Sequence, residues 1–132
     1  MRWLPLLLAF FLTAPAQAAS LRDIRLEETL ERVAAESSDG TPRAINDNIT
    51  DLGFEAQGDE LINRLSVDEA YAERMQEDPL LIRTQLQASV CTDLRFRRLL
   101  DMGATLTYHF MIKDSDQPVV TQSFIAEHCQ TL

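Results

Sequence analysis

"ITDLGFEAQGDELINRLSV", residues 49–67, decides the fold. In its first half Leu52, Phe54 and Ala56 alternate with Asp51, Gly53 and Glu55; in its second, Leu61, Asn63 and Leu65 alternate with Ile62, Arg64 and Ser66. A period of two is the pattern of a half-buried strand. Gln57-Gly58-Asp59 sits between the two runs and can turn the chain, so the stretch predicts a β-hairpin. The competing reading is a helix over 59–65, because Glu60, Leu61 and Arg64 also suit helices.

Upstream of the hairpin the period lengthens. "SLRD" places Asp23 three residues after Ser20, a capping-box pattern. Leu21, Ile24, Leu30, Val33 and Ala34 then recur at helical spacing, and Gly40 and Pro42 stop the run. This predicts a helix over 20–37. Downstream, "SVDE" offers a second box, Ser66 with Glu69, followed by Val67, Ala70, Tyr71 and Met75 along one helical face. Pro79 disfavours helix at Asp78 but suits the first turn of a new helix capped by Asp78. Leu81, Ile82, Leu86 and Val90 supply that helix's buried stripe, and Cys91 follows.

Thr92 or Asp93 can cap a short helix, "LRFRRLLDM", with Phe96, Leu99 and Leu100 inward and Gly103 as its left-handed terminator. "ATLTYHFMI" and "VVTQSFIA" are β-rich, and "KDSDQP" joins them as a second hairpin loop. Pro118 can start the last strand at low cost. The expected fold is α+β: an N-terminal helix and two β-hairpins forming a four-stranded antiparallel sheet, with the central helices packed on one face.

The start of the chain reads as an export signal. "MRWLPLLLAFFLTAPAQAAS" has Arg2, an apolar run from Leu4 to Leu12, and Ala16-Gln17-Ala18 as a small-x-small site. The expectation is a signal peptide over 1–18 and a single domain over 19–132, secreted or periplasmic. The run is too short for a permanent membrane span, and no stable membrane insertion is expected. In an oxidising compartment the only two cysteines, Cys91 and Cys129, most simply form one internal disulfide; a bond between chains or two free thiols are the alternatives. Closing that span would stabilise the fold by roughly 4 kcal/mol in the loop-entropy picture.

Charge narrows the partners. The chain has 12 basic and 21 acidic residues, a net charge of −9, and loss of Arg2 with the leader makes it −10. That opposes nucleic acid and anionic lipid. The one basic cluster is "RFRR": Arg95, Arg97 and Arg98 form either a solvated helix face or a contact point for an anionic partner or a second acidic copy.

Catalytic motifs do not emerge. His109 and His128 lack the ligand spacing of a metal site once both thiols are bridged. None of the serines stands in a Gly-x-Ser-x-Gly elbow, and four glycines leave no phosphate-cradling loop. The paired acids Glu27/Glu28, Asp59/Glu60, Asp68/Glu69 and Glu77/Asp78 have simpler roles at caps, turns and helix surfaces, and "DSD" at 114–116 lacks the length and glycine of a calcium loop. No cofactor, metal or catalytic residue is expected.

The signal segment leading into "SLRDIRLEETLERVAAES", then "LSVDEAYAERMQEDP", "SVCTDLRFRRLLDMGATLTYHF" and a final "HC" resembles a small secreted protein family of Pseudomonas. That family is described as quorum-sensing-regulated virulence factors and was formerly counted as a domain of unknown function. The resemblance implies an α+β exported protein tied to virulence, and carries over no active site. The functional expectation is an exported noncatalytic binding or effector protein with a protein partner. Its rivals are a small periplasmic hydrolase or enzyme accessory with an unrecognised pocket, and a structural homodimer.

Overall fold

A computed structural model describes residues 16–130. The proposed leader therefore lies largely outside the described residues. Helix α1 (Ala16–Ser37) leads into a two-residue strand β1 (Arg43–Ala44) and the hairpin β2 (Ile49–Gln57) and β3 (Glu60–Val67). Three helices follow, α2 (Glu69–Glu77), α3 (Pro79–Thr92) and α4 (Leu94–Asp101). Strands β4 (Thr105–Ile112) and β5 (Pro118–Phe124) and a 3-10 turn (Ala126–Cys129) complete the chain.

The fold is α+β, as expected, but the sheet is not four antiparallel strands. It has five strands in the order β1-β2-β3-β4-β5, and the central pair β3–β4 is parallel, with Leu61 beside Leu106 and Leu65 beside Phe110. The reason is topological. Residues 68–104 run as α2–α4 between the two strands, and a helical crossover returns the chain to the end from which it started. Strand β1 adds the fifth strand through Arg43↔Asp51 and Ala44↔Thr50.

The helices cover one face. Leu26, Leu30 and Ala34 of α1 pack into one core with Leu61, Leu65 and Val67 of β3, Leu106 and Phe110 of β4, and Phe124 of β5. Leu99 and Leu100 join it from α4, and Val90 from α3. Leu30 and Phe124 are completely buried. The hairpin reading of 49–67 stands, and the helix over 59–65 does not form. Gly58, at φ +59°, makes the turn with a left-handed backbone that glycine adopts without a Cβ penalty.

The alternation in β2 is wrong by one residue at its start. The register slips between Asp51 and Gly53, so Leu52 is the extra residue of a β-bulge. Asp51 therefore turns to the covered face and is 6% exposed, whereas Leu52 faces solvent. The Asp51 carboxylate accepts the Gly53 N–H at 2.8 Å, and Gly53 takes φ +113°, which stabilises the bulge locally.

Several caps also shift. Helix α1 begins at Ala16, so Ser20 lies within it and not at its start. Ser66 and Val67 are held in β3 by pairing with Met111 and Ile112, and Asp68 takes the capping role for α2 by accepting the Tyr71 N–H at 2.7 Å. Asp78 caps α3 as expected, at 3.1 Å from the Leu81 nitrogen, and Asp93 caps α4 through the Arg95 and Phe96 nitrogens. Leu81 does not belong to the buried stripe of α3. It is half exposed, and the stripe narrows to Ile82, Leu86 and Val90. Gly103, at φ +105°, ends α4.

Candidate functional site

Cys91 closes α3 and Cys129 closes the 3-10 turn, and the two are bonded with Cα atoms 5.3 Å apart. Both are buried. Gln87 Nε2 donates to the His128 carbonyl at 2.6 Å, a second tie between the same two elements. The carboxyl end is thus fixed against the covering helices, with Phe124 beneath it.

The three arginines do not share one surface. Arg95 is exposed and its guanidinium lies 5.7 Å from the Phe96 ring centre. Arg97 is half-buried: its Nη1 donates to the Cys91 carbonyl at 3.3 Å, while its buried Nε has no hydrogen-bond partner. Arg98 is exposed in the last turn of α4. Arg95 also lines a cavity.

That cavity, about 330 Å³, lies between the end of α1, the β1–β2 edge and α4. Its walls are Phe54 and Phe96, whose rings sit 6.1 Å apart, and it is lined by Glu36, Asp39, Arg43, Asp51 and Arg95. Asp51 is the buried member. One of its oxygens accepts from Gly53 and from Asn63 Nδ2 at 2.9 Å; the other, among the described residues, meets Arg43 alone, at 3.4 Å. Neighbouring Tyr108 is also buried, and that burial, with the charges of Asp93 and Asp51 behind it, pushes its phenol up to about 12.

A second cleft is apolar. Ile49, Tyr71, Met75, Ile82, Leu86 and Phe110, with Gln85 as the polar member, line about 140 Å³ between α2, α3 and the sheet. Met75 and Phe110 are buried, and the others are half-buried around them. Helical spacing marks Tyr71, Met75, Ile82 and Leu86 as buried stripes, but sequence alone does not reveal that α2 and α3 diverge to leave a gap between them.

The uncovered sheet face carries a third depression, about 300 Å³, over Ile62, Arg64, Thr107, His109 and Thr121. Thr107 donates to Glu60 at 2.5 Å and shares a 2.8 Å hydrogen bond with Ser123. His109 Nδ1 is engaged by Thr121 Oγ1 at 2.9 Å, and His128 Nδ1 accepts the Ile125 N–H at 2.9 Å. Among the described residues both histidines are thus engaged elsewhere than at Ser123, whose hydroxyl pairs with Thr107. Arg64 binds Glu55 at 2.9 Å and holds that carboxyl below its ordinary range, with Gln57 adding to the effect. Among the described residues no three His, Cys, Asp or Glu side chains gather as metal ligands.

Residues 19–130 match the family described as "Putative quorum-sensing-regulated virulence factor", and the chain belongs to that family. A "putative secreted protein" from Pseudomonas aeruginosa, solved by crystallography, is 49% identical, with TM-score 0.81 over 83% of this chain and 97% of that one. Two type II secretion system pilotins share the fold at 17% identity. The Vibrio vulnificus protein aligns with TM-score 0.71 over 84% of this chain and 97% of its own. The Vibrio cholerae protein aligns with TM-score 0.64 over 85% and 99%. No curated protein matches the chain. Among the described residues no helix is long and apolar enough to cross a membrane.

Proposed function

We propose that this exported family member is a noncatalytic docking protein, and that its apolar cleft between α2, α3 and the sheet receives an amphipathic segment of another exported protein. The observation that carries the reading is the cleft itself. It is a gap lined by six largely apolar side chains and Gln85, with the buried Met75 and Phe110 as its floor. A cleft of this kind takes the apolar side chains of a helix laid across it.

Charge selects the other side of that segment. Helix α2 and its cap carry Asp68, Glu69, Glu73, Glu77 and Asp78 against a single Arg74, in a chain of net charge −9. A partner with basic residues flanking its apolar stripe is steered toward this surface, and an acidic one is repelled. The likeness of the fold to two secretion-system pilotins supports a role in protein–protein contact rather than turnover of a small substrate.

The test is a titration of the disulfide-intact protein with a synthetic amphipathic helix, leucines on one face and lysines on the other. Saturable binding that Leu86→Gln weakens, with the circular dichroism spectrum unchanged, is the expected result. Equal affinity for a counterpart peptide whose leucines are replaced by glutamine overturns the reading. The rival homodimer has its own check: a monomer mass independent of concentration in light scattering excludes it.

A further inference from the structure

The polar cavity at the end of α1 is a separate feature, and its chemistry is that of a receptor for one positive charge. We propose that it binds the guanidinium of an arginine side chain presented by a peptide or protein, with Asp51 at the base, Glu36 and Asp39 at the mouth, and Phe54 and Phe96 as the walls.

Asp51 supplies the main argument. A buried carboxylate is tolerated only when its oxygens are well paired. One oxygen of Asp51 is, through Gly53 and Asn63, both within 2.9 Å. The other, on a residue that lines the cavity, has among the described residues Arg43 alone, at 3.4 Å, from a side chain 53% exposed. Arg43 is loosely held at its other end too, 3.5 Å from the Asp39 carbonyl. A charge-assisted bond of full strength is shorter than either contact. Arg43 therefore occupies this oxygen weakly, and an incoming guanidinium can take its place.

The surroundings agree. Among the described residues neither Glu36 nor Asp39 forms an ion pair, and both line the opening. The cavity thus has three carboxylates against the guanidiniums of Arg43 and Arg95. The Ser37 hydroxyl oxygen is buried on the same wall with no hydrogen-bond partner. Phe54 and Phe96 line the cavity with π surface of the kind a planar cation prefers, and Arg95 already lies over the Phe96 ring. Arginine fits better than lysine because its flat fork can reach two carboxylates while stacking.

N-acetyl-arginine amide is the probe, titrated into the isotope-labelled, disulfide-intact protein and followed by amide chemical shifts. Saturable shifts at Ser37, Gly53 and Phe96 are expected, with weaker binding of N-acetyl-lysine amide. The exposed pair Glu36→Gln and Asp39→Asn, combined, should weaken the arginine probe by roughly tenfold while leaving the spectrum folded. Three results overturn the proposal: no saturation at these amides, unchanged affinity in the double variant, or N-acetyl-glutamate shifting them where arginine does not. The last would make the cavity an anion site built on Arg43 and Arg95.

Discussion

The two faces of one sheet divide the labour of this molecule. On the covered face Leu61, Leu65, Leu106, Phe110 and Phe124 interlock with four helices and leave almost no surface to water. On the other face Arg64 bonds to Glu55, Thr107 to Glu60 and Ser123, and His109 to Thr121, each across neighbouring strands, and among the described residues the covering helices lie on the opposite side. The strands are the same, but the physics differs. Burial on one side scales with the area removed from water, whereas polar pairs on the other contribute only the small net difference between a bond to protein and a bond to water. Stability should therefore be concentrated on one face, and the following changes test how completely.

The largest effect belongs to the covered face. Phe124→Ala removes a completely buried ring packed edge-on to Tyr108, and should cost about 3–5 kcal/mol in chemical denaturation. A loss below 1 kcal/mol would mean the ring is not part of the core. Replacing Cys91 and Cys129 together by alanine opens a closed span of 38 residues and should cost about 2–4 kcal/mol. An unchanged midpoint would show the span to be held by packing alone.

Alkali should also act through this face. Folding keeps the Tyr108 phenol protonated, so its contribution is intact below the unfolded value near pH 10. It is lost as pH rises through the folded value of about 12. The loss is on the order of 2 kcal/mol, and Tyr108→Phe should abolish this pH dependence. A variant as alkali-sensitive as the parent would remove Tyr108 from the account.

The smallest effect is expected on the uncovered face. Glu55→Gln breaks a solvent-exposed pair with Arg64 and should cost under about 0.5 kcal/mol at neutral pH. Because the folded carboxyl is held below its ordinary value, the pair contributes above the unfolded pKa and fades as pH falls through the folded one. The difference between variant and parent should vanish in acid. A neutral-pH loss as large as that of Phe124→Ala would erase the contrast between the faces.

What could be read from the chain follows the same division. Alternation in 61–65 and 106–110 identified which residues enter the core, because burial writes a period into the sequence. Strand direction is not written that way: Leu106, Tyr108 and Phe110 alternate identically whether β4 runs with or against β3. The available signal was the helical length between them, over 68–104, which favours a parallel return. The bulge at Leu52 was hidden for a related reason, since one extra residue exchanges the faces of Asp51 and Leu52 without altering composition. The polar cavity was missed with it. Asp51 reads as a solvent-facing strand residue until that slip turns it inward. The arginine run was visible, but the turn of α4 sends Arg95 to the cavity, Arg97 back to the Cys91 carbonyl and Arg98 to solvent.

The parallel central pair also sets a schedule. The β2–β3 hairpin joins neighbours in the chain and can form as soon as residue 67 has been made. Its inner edge must then wait, unpaired, until residues 105–112 follow. Such distant pairings are slow to close, so the centre of the sheet is assembled last.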